Sequence, residues 1–239
     1  MLSRKLTGSI AAWAVVIAVA IGACTAQQPG ASNSTSSAAP SGSTSGAAPS
    51  GPGSSAGGSN ARSGPEPGGT AGTVDSVSTL SFTLTTAAGQ KVTVNEASST
   101  TYQNGTSSTS ASGVATGETV LVLGTTNGTT ITATQVIVQP AGDYGAAASS
   151  AAGVVPFQQG APSTSKQVGQ IPNYTEGQGT IVSGTTANNA TLAALAAYPG
   201  GVVDRVVQLA DGEYEVHNIG VNWPHHVFVD QNFKVVGAN

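Results

Sequence analysis

The sequence predicts a mainly β chain with an α+β module: a small antiparallel β barrel, then one helix packed on a three- or four-stranded antiparallel sheet, joined by disordered linkers. Three observations predict it. Valine, isoleucine and threonine alternate with a period of two between about residues 70 and 140. A single alanine- and leucine-rich helical stretch follows near residue 190, with short apolar runs after it. Everything between is glycine, serine, alanine, proline and threonine, with no apolar period.

The strands of the first module come in order. Gly72-Thr-Val-Asp-Ser-Val-Ser opens it, followed by Ser81-Phe-Thr-Leu-Thr-Thr, a turn at Ala88-Gly89, and Lys91-Val-Thr-Val-Asn. Phe82 shares a face with Leu84, and Val92 with Val94. Further on lie Gly117-Glu-Thr-Val-Leu-Val-Leu-Gly and Thr130-Ile-Thr-Ala-Thr-Gln-Val-Ile-Val. Asn127-Gly128 joins them, and such a pair suits a hairpin turn that needs positive φ at both positions. The residues 70–140 therefore predict a barrel of five or six strands.

The same residues resemble a domain-of-unknown-function family of small extracytoplasmic β modules of bacterial envelopes. The matching features are Gly72-Thr73-Val74, Phe82, Gly89, Thr100-Thr101-Tyr102, Gly117 to Gly124 and Ile131-Thr132-Ala133. The resemblance implies an OB-like barrel, in the oligonucleotide/oligosaccharide-binding style, and no site, because these motifs are turn and strand chemistry.

Two stretches lack any core. Residues 24–69 carry only Arg62 and Glu66 as charges and predict a disordered tether, since nothing offsets the entropy of ordering them. Residues 141–177 predict a second flexible linker with scattered Tyr144, Phe157 and Tyr174. Neither stretch predicts an element of its own.

In the last segment, 178–239, Thr185 or Thr186 is placed to cap a helix that runs to Tyr198, with Leu192, Leu195 and Ala196 on one stripe. Pro199-Gly200-Gly201 ends it. Strands follow at Val202 to Leu209, Glu213 to Asn218, His225 to Asp230 and Phe233 to Val236. The run Ala193 to Gly201, the turn Asp211-Gly212, Tyr214-Glu215-Val216-His217 and Val227 to Gly237 are similar to a PepSY-type domain. That resemblance implies restraint of peptidases through a protein contact. The chain departs from the family at Ile219-Gly-Val-Asn-Trp-Pro-His-His, where an acidic-glycine turn is usual.

All three histidines lie in this segment. Alternation puts Glu213, Glu215 and His217 on one face, and adjacent His225 and His226 on opposite faces, so only one of the pair is expected beside His217. Those donor types, His217, His225 or His226, and Glu215, suit a divalent metal. The competing expectation is a polar, solvated sheet face. Trp223-Pro224 is expected as a packed corner of the sheet.

The chain starts with Arg4 and Lys5, an apolar run from Ile10 to Ala23, and its sole cysteine, Cys24. A basic start, a short apolar run and small residues before a cleavage point make a signal peptide over 1–23, too short to span a bilayer. Ile21-Gly22-Ala23-Cys24 resembles a bacterial lipobox. The resemblance implies a diacylglyceryl thioether at Cys24 with a further acyl chain, such as palmitate, on its amine. Two chains suffice for stable anchoring. Cleavage takes two of the seven basic residues and none of the eleven acidic ones, moving the formal charge from −4 to −6. Such a balance argues against nucleic acid as a partner and against adhesion to anionic lipid by charge. In a bacterial chain the Asn-x-Ser/Thr matches, such as Asn104 and Asn189, carry no glycosylation expectation.

No Gly-x-Ser-x-Gly elbow, phosphate loop or dinucleotide fingerprint occurs. The expectation is therefore a lipid-anchored envelope protein, not an enzyme and without a cofactor, acting as a binding or scaffold protein for an envelope protein such as a peptidase. The alternatives are a small-molecule or divalent-metal binder and a structural spacer.

Overall fold

The computed structural model describes residues 65–158 and 165–239. Cys24, the leader 1–23 and the tether up to residue 64 lie outside the described residues. Six strands build the first half: β1 (Glu66–Val77), β2 (Ser81–Thr86), β3 (Lys91–Asn104), β4 (Ser107–Thr109), β5 (Thr119–Asn127) and β6 (Thr130–Gln139). The second half holds α1 (Ala146–Ala151), β7 (Val168–Gly169), β8 (Thr180–Ile181), α2 (Gly184–Ala197), β9 (Val202–Gln208), β10 (Tyr214–Ile219), β11 (His226–Val229) and β12 (Val235–Ala238). The chain is mainly β, as its alternation predicts, and the strands make one large mixed sheet.

Pairings in the first half run β1 to β2, β2 to β3, β3 to β6, β6 to β5 and β5 back to β1. Phe82, Leu84, Val92, Val94, Val120, Val122 and Ile131 are buried together inside this circuit. The antiparallel expectation is corrected at one place, because β3 and β6 run parallel. A circuit of five strands cannot alternate in direction all the way round, so one neighbouring pair must be parallel. Residues 105–118 together with β5 supply the crossover that a parallel pair requires. Within them β4 is a three-residue flap on β3.

β5 is buried on both faces. Val120 and Val122 fill the circuit, while Leu121 and Leu123 point the other way, into a core shared with Ala148, Ala190, Leu192 and Leu195 of the two helices. That second core continues to Val203, Val206, Val216, Val227 and Val229, so α2 packs on the β9–β12 strands as well. The helix begins one or two residues before its expected cap, and Ser183 caps it without a side-chain bond.

The sheet passes from one expected domain into the other. Gly69 pairs with Val203 and Thr70 with Val202, and the buried Thr70 hydroxyl donates to the Gly201 carbonyl at 2.8 Å. β1 can run between β5 and β9 because Gly68 and Gly69 carry no side chain at the close approach. A Cβ at Gly68 would overlap the Val203 carbonyl oxygen.

Residues 141–177, expected as a flexible linker, carry two elements. Asp143 accepts from the backbone N–H of Gly145, Ala146 and Ala147 at 2.7–3.2 Å and so starts α1. The Ser149 hydroxyl then donates to the Leu192 carbonyl at 2.8 Å. Alanine and serine side chains are too small to print an apolar period, yet they let two helices approach closely. Asp143→Ala is expected to cost about 1 kcal/mol, as loss of an N-terminal cap does, read by urea denaturation. A loss under about 0.3 kcal/mol would mean α1 needs no cap. Phe157 of this stretch also packs: it lies 6.0 Å from Tyr198, and Tyr198 meets Trp223 edge-on at 5.4 Å. Trp223 donates its indole N–H to the Lys166 carbonyl, a packed corner as expected.

Candidate functional site

β9, β10 and β11 pair so that two rows cross them in register. One row is Arg205, His217 and His226; the next on the same face is Val207, Glu215 and Phe228. Plain alternation along β9 does not produce these rows. Asn218 pairs with Val203 but His217 with Arg205, which leaves Asp204 as an extra residue, a β-bulge. The bulge changes the phase of the strand. Val203 and Val206 both join the helix-side core, while Val207 joins Leu209 and Phe228 in a separate cluster on the other face.

That face is not solvated, which corrects the polar-face expectation. Asp204 and Glu215 are 0 % exposed, Arg205 1 % and His217 8 %. Residues 170–178 lie over it and β8 extends it beside β9, with Ile171, Tyr174 and Ile181 packed on Val207, Leu209 and Phe228. Charged side chains are almost never buried to this degree without partners. Here His217 Nδ1 lies 2.5 Å from Asp204 Oδ1, and His226 Nδ1 lies 2.7 Å from Glu215 Oε1. Arg205 reaches Glu176 Oε1 with Nη2 at 3.4 Å and stands 3.9 Å from Asp204 Oδ1 through Nη1. It also bonds the Tyr174 hydroxyl. Burial first, then the Glu215 charge, pushes the Tyr174 hydroxyl well above the usual phenol range, so it stays a neutral partner.

The third imidazole joins them, against expectation. His225 and His226 do not alternate across a strand, because β11 begins only at His226. His225 Nδ1 meets the Asn218 carbonyl at 3.0 Å, and its ring stacks on His217 at 5.6 Å. His217 and His226 are 5.2 Å apart, and His225 and His226 6.1 Å. Each Nδ1 faces an oxygen acceptor, so each carries the ring proton and Nε2 is the remaining polar atom. The expected metal-ligating types, His217, His225, His226 and Glu215, are thus gathered in one place. Among the described residues, however, no group of three or more His, Cys, Asp and Glu is arranged to hold a metal ion. His226 Nδ1 and Glu215 Oε1 are spent on each other, His217 Nδ1 on the Asp204 carboxylate and His225 Nδ1 on the backbone.

Two buried atoms of the network have no partner: Arg205 Nε and Glu215 Oε2. From the sequence, Asp204 and Arg205 carry no expectation beyond their place in the strand Val202 to Leu209. The signal was present all the same: in a strand whose valines fill both faces, two adjacent charges put at least one of them against a packed face. Elsewhere, a cavity of about 170 Å³ between α1 and α2, lined by Ser149, Val154, Phe157, Ala193 and Ala197 among others, has no titratable group in its lining. Its lining is mostly apolar, with Ser149 and Ser150 as the hydroxyl-bearing residues. No family model, curated protein or solved structure matches the chain.

Proposed function

We propose that the chain is a non-catalytic binding or scaffold protein of a bacterial envelope, anchored through lipid on Cys24 and facing the extracytoplasmic side. Its C-terminal module engages a protein partner, and a peptidase held in check is the form that the PepSY resemblance suggests. In this reading the β1-β2-β3-β6-β5 circuit is an OB-like barrel; a five-strand ring with a single parallel pair supports it. The barrel serves as the rigid base from which the module is presented.

One observation carries the binding reading. Asp204, Arg205, Glu215 and His217, with the half-buried His226 at the edge, are buried where valines would pack at lower cost, and Arg205 Nε and Glu215 Oε2 stay unpartnered. Buried polar groups left unpaired call for an explanation, and recognition of a further polar group supplies one.

The test is in-cell crosslinking of the full chain beside Cys24→Ala, in a bacterium that processes lipoproteins. The wild type is expected in the detergent phase with a mass of residues 24–239 plus lipid, crosslinked to a discrete envelope protein. Cys24→Ala is expected in the aqueous phase with the crosslink reduced. Wild-type protein in the aqueous phase would remove the anchor. A folded, anchored protein with no crosslinked partner would remove the binding role.

A further inference from the structure

The network lies under a lightly held cover. Over residues 168–181, β7 pairs only Val168 and Gly169 with β12, and β8 pairs only Thr180 and Ile181 with β9. Between them the chain makes an internal turn, Gln178 N–H to the Thr175 carbonyl at 3.0 Å, but no strand ladder. Val168 is the single residue of this stretch that is fully buried. Tyr174 sets its ring 5.1 Å from His226 and 5.5 Å from Phe228, and two residues on, Glu176 approaches Arg205.

The Glu176 contact is poor for its type. Its side chain is 55 % exposed, and one oxygen stands 3.4 Å from Nη2. A carboxylate facing a guanidinium edge makes two parallel bonds near 2.8 Å. Glu176 leaves the neighbouring Arg205 Nε bare, and nothing on this stretch donates to Glu215 Oε2. A segment that covers three fully buried charges yet satisfies them this incompletely behaves as a placeholder.

We propose that residues 170–178 are a displaceable strap occupying a groove over β9–β11, and that the groove takes an extended segment of a partner protein. The segment presents an aromatic ring and, two residues later, a carboxylate, the pattern that Tyr174 and Glu176 imitate. Its ring fills the site between His226 and Phe228. Its carboxylate closes the Nε and Nη2 edge of Arg205, and a backbone or side-chain N–H donates to Glu215 Oε2. The proposal rests on the binding reading above and names its surface.

Two measurements on the full chain test it. In native-state hydrogen exchange, the Gln170 and Gln178 amides are expected to exchange at least about 100-fold faster than those of Val216 and Val227, as a separately opening unit. Exchange in step with β10 and β11 would make the strap part of the core and overturn the proposal. Secondly, a labelled peptide of residues 168–181 is titrated into the Tyr174→Ala/Glu176→Gln chain. Saturable binding is expected, about tenfold or more tighter than to the wild type, whose own strap competes. The same peptide with Glu176→Gln is expected to bind about tenfold more weakly, having lost its charge-assisted bonds. No binding to the folded variant, or no effect of the peptide's carboxylate, would overturn the groove. Should the variant unfold, the exchange result on the wild type decides alone. Peptide binding without any crosslinked envelope protein would spare the groove and sink the envelope-partner reading instead.

Discussion

Asp204→Ala is expected to lower folding stability by about 3–5 kcal/mol, the cost of breaking a buried ionic contact by removing one partner. Asp204 is fully buried at the bulge of β9, where its carboxylate meets His217 Nδ1 at 2.5 Å and faces Arg205 at 3.9 Å. Alanine leaves an imidazole donor without its acceptor and a guanidinium with less negative charge near it, both out of water. Asp204→Asn keeps an acceptor for His217 and is expected to lose less. Glu118→Ala, at an exposed turn, is the control and is expected within about 0.5 kcal/mol of wild type. Urea denaturation checks all three, the midpoint falling at an unchanged slope. A loss below about 1 kcal/mol for Asp204→Ala would show that the network carries little of the fold, and the inference from its burial to recognition would fail with it.

The direction of that inference matters. Replacing a whole buried ionic cluster by apolar residues is often neutral or even stabilising, by about 1–4 kcal/mol. Stability alone therefore does not explain why β9 keeps Asp204-Arg205 inside Val202-Val203 and Val206-Val207. A charge that is expensive to bury and incompletely paired is explained by what it can still bind.

Particular residues show how far the sequence could be read. Phe82, Leu84, Val92 and Val94 alternate cleanly, and the structure buries all four in one core, because a strand with one buried face imposes period two. The helix near residue 190 was legible from Leu192 and Leu195, and its stop from Pro199-Gly200-Gly201. The parallel β3–β6 pair was not, since strand direction is a property of the circuit and leaves no mark on either strand. Nor was the bulge at Asp204: one residue there shifts every later side chain of β9 to the other face, and nothing local announces it. The same loss of phase hid the candidate site. Glu215 and His217 were correctly placed together on one face of β10, yet their burial depended on Arg205 from β9 and Tyr174 from the supposed linker. His225 escaped the alternation rule only because the strand starts one residue later.

Gly68→Val is expected to cost about 3 kcal/mol or more, at or beyond the upper end of ordinary overpacking penalties. The obstacle is backbone: the added Cβ would overlap the Val203 carbonyl oxygen, so no rotamer change relieves it and β1 must part from β9. Parting them breaks the Gly69–Val203 and Thr70–Val202 pairs and withdraws the Thr70 hydroxyl from Gly201, leaving both groups without their partners next to the core of the first-half strands, which includes Val202. The two halves would then keep their own strands but lose mutual support. The expected observation is two separable thermal transitions where the wild type shows one, with early exchange at the β9 amides facing β1. A single transition within about 0.5 kcal/mol of wild type would mean that the halves stay coupled without these pairs, through the core that Leu121 and Leu123 share with Leu195 and Val203. The β1–β9 junction would then add little to the fold, and the shared helix-side core, not the joined sheet, would be what holds the C-terminal strands in place.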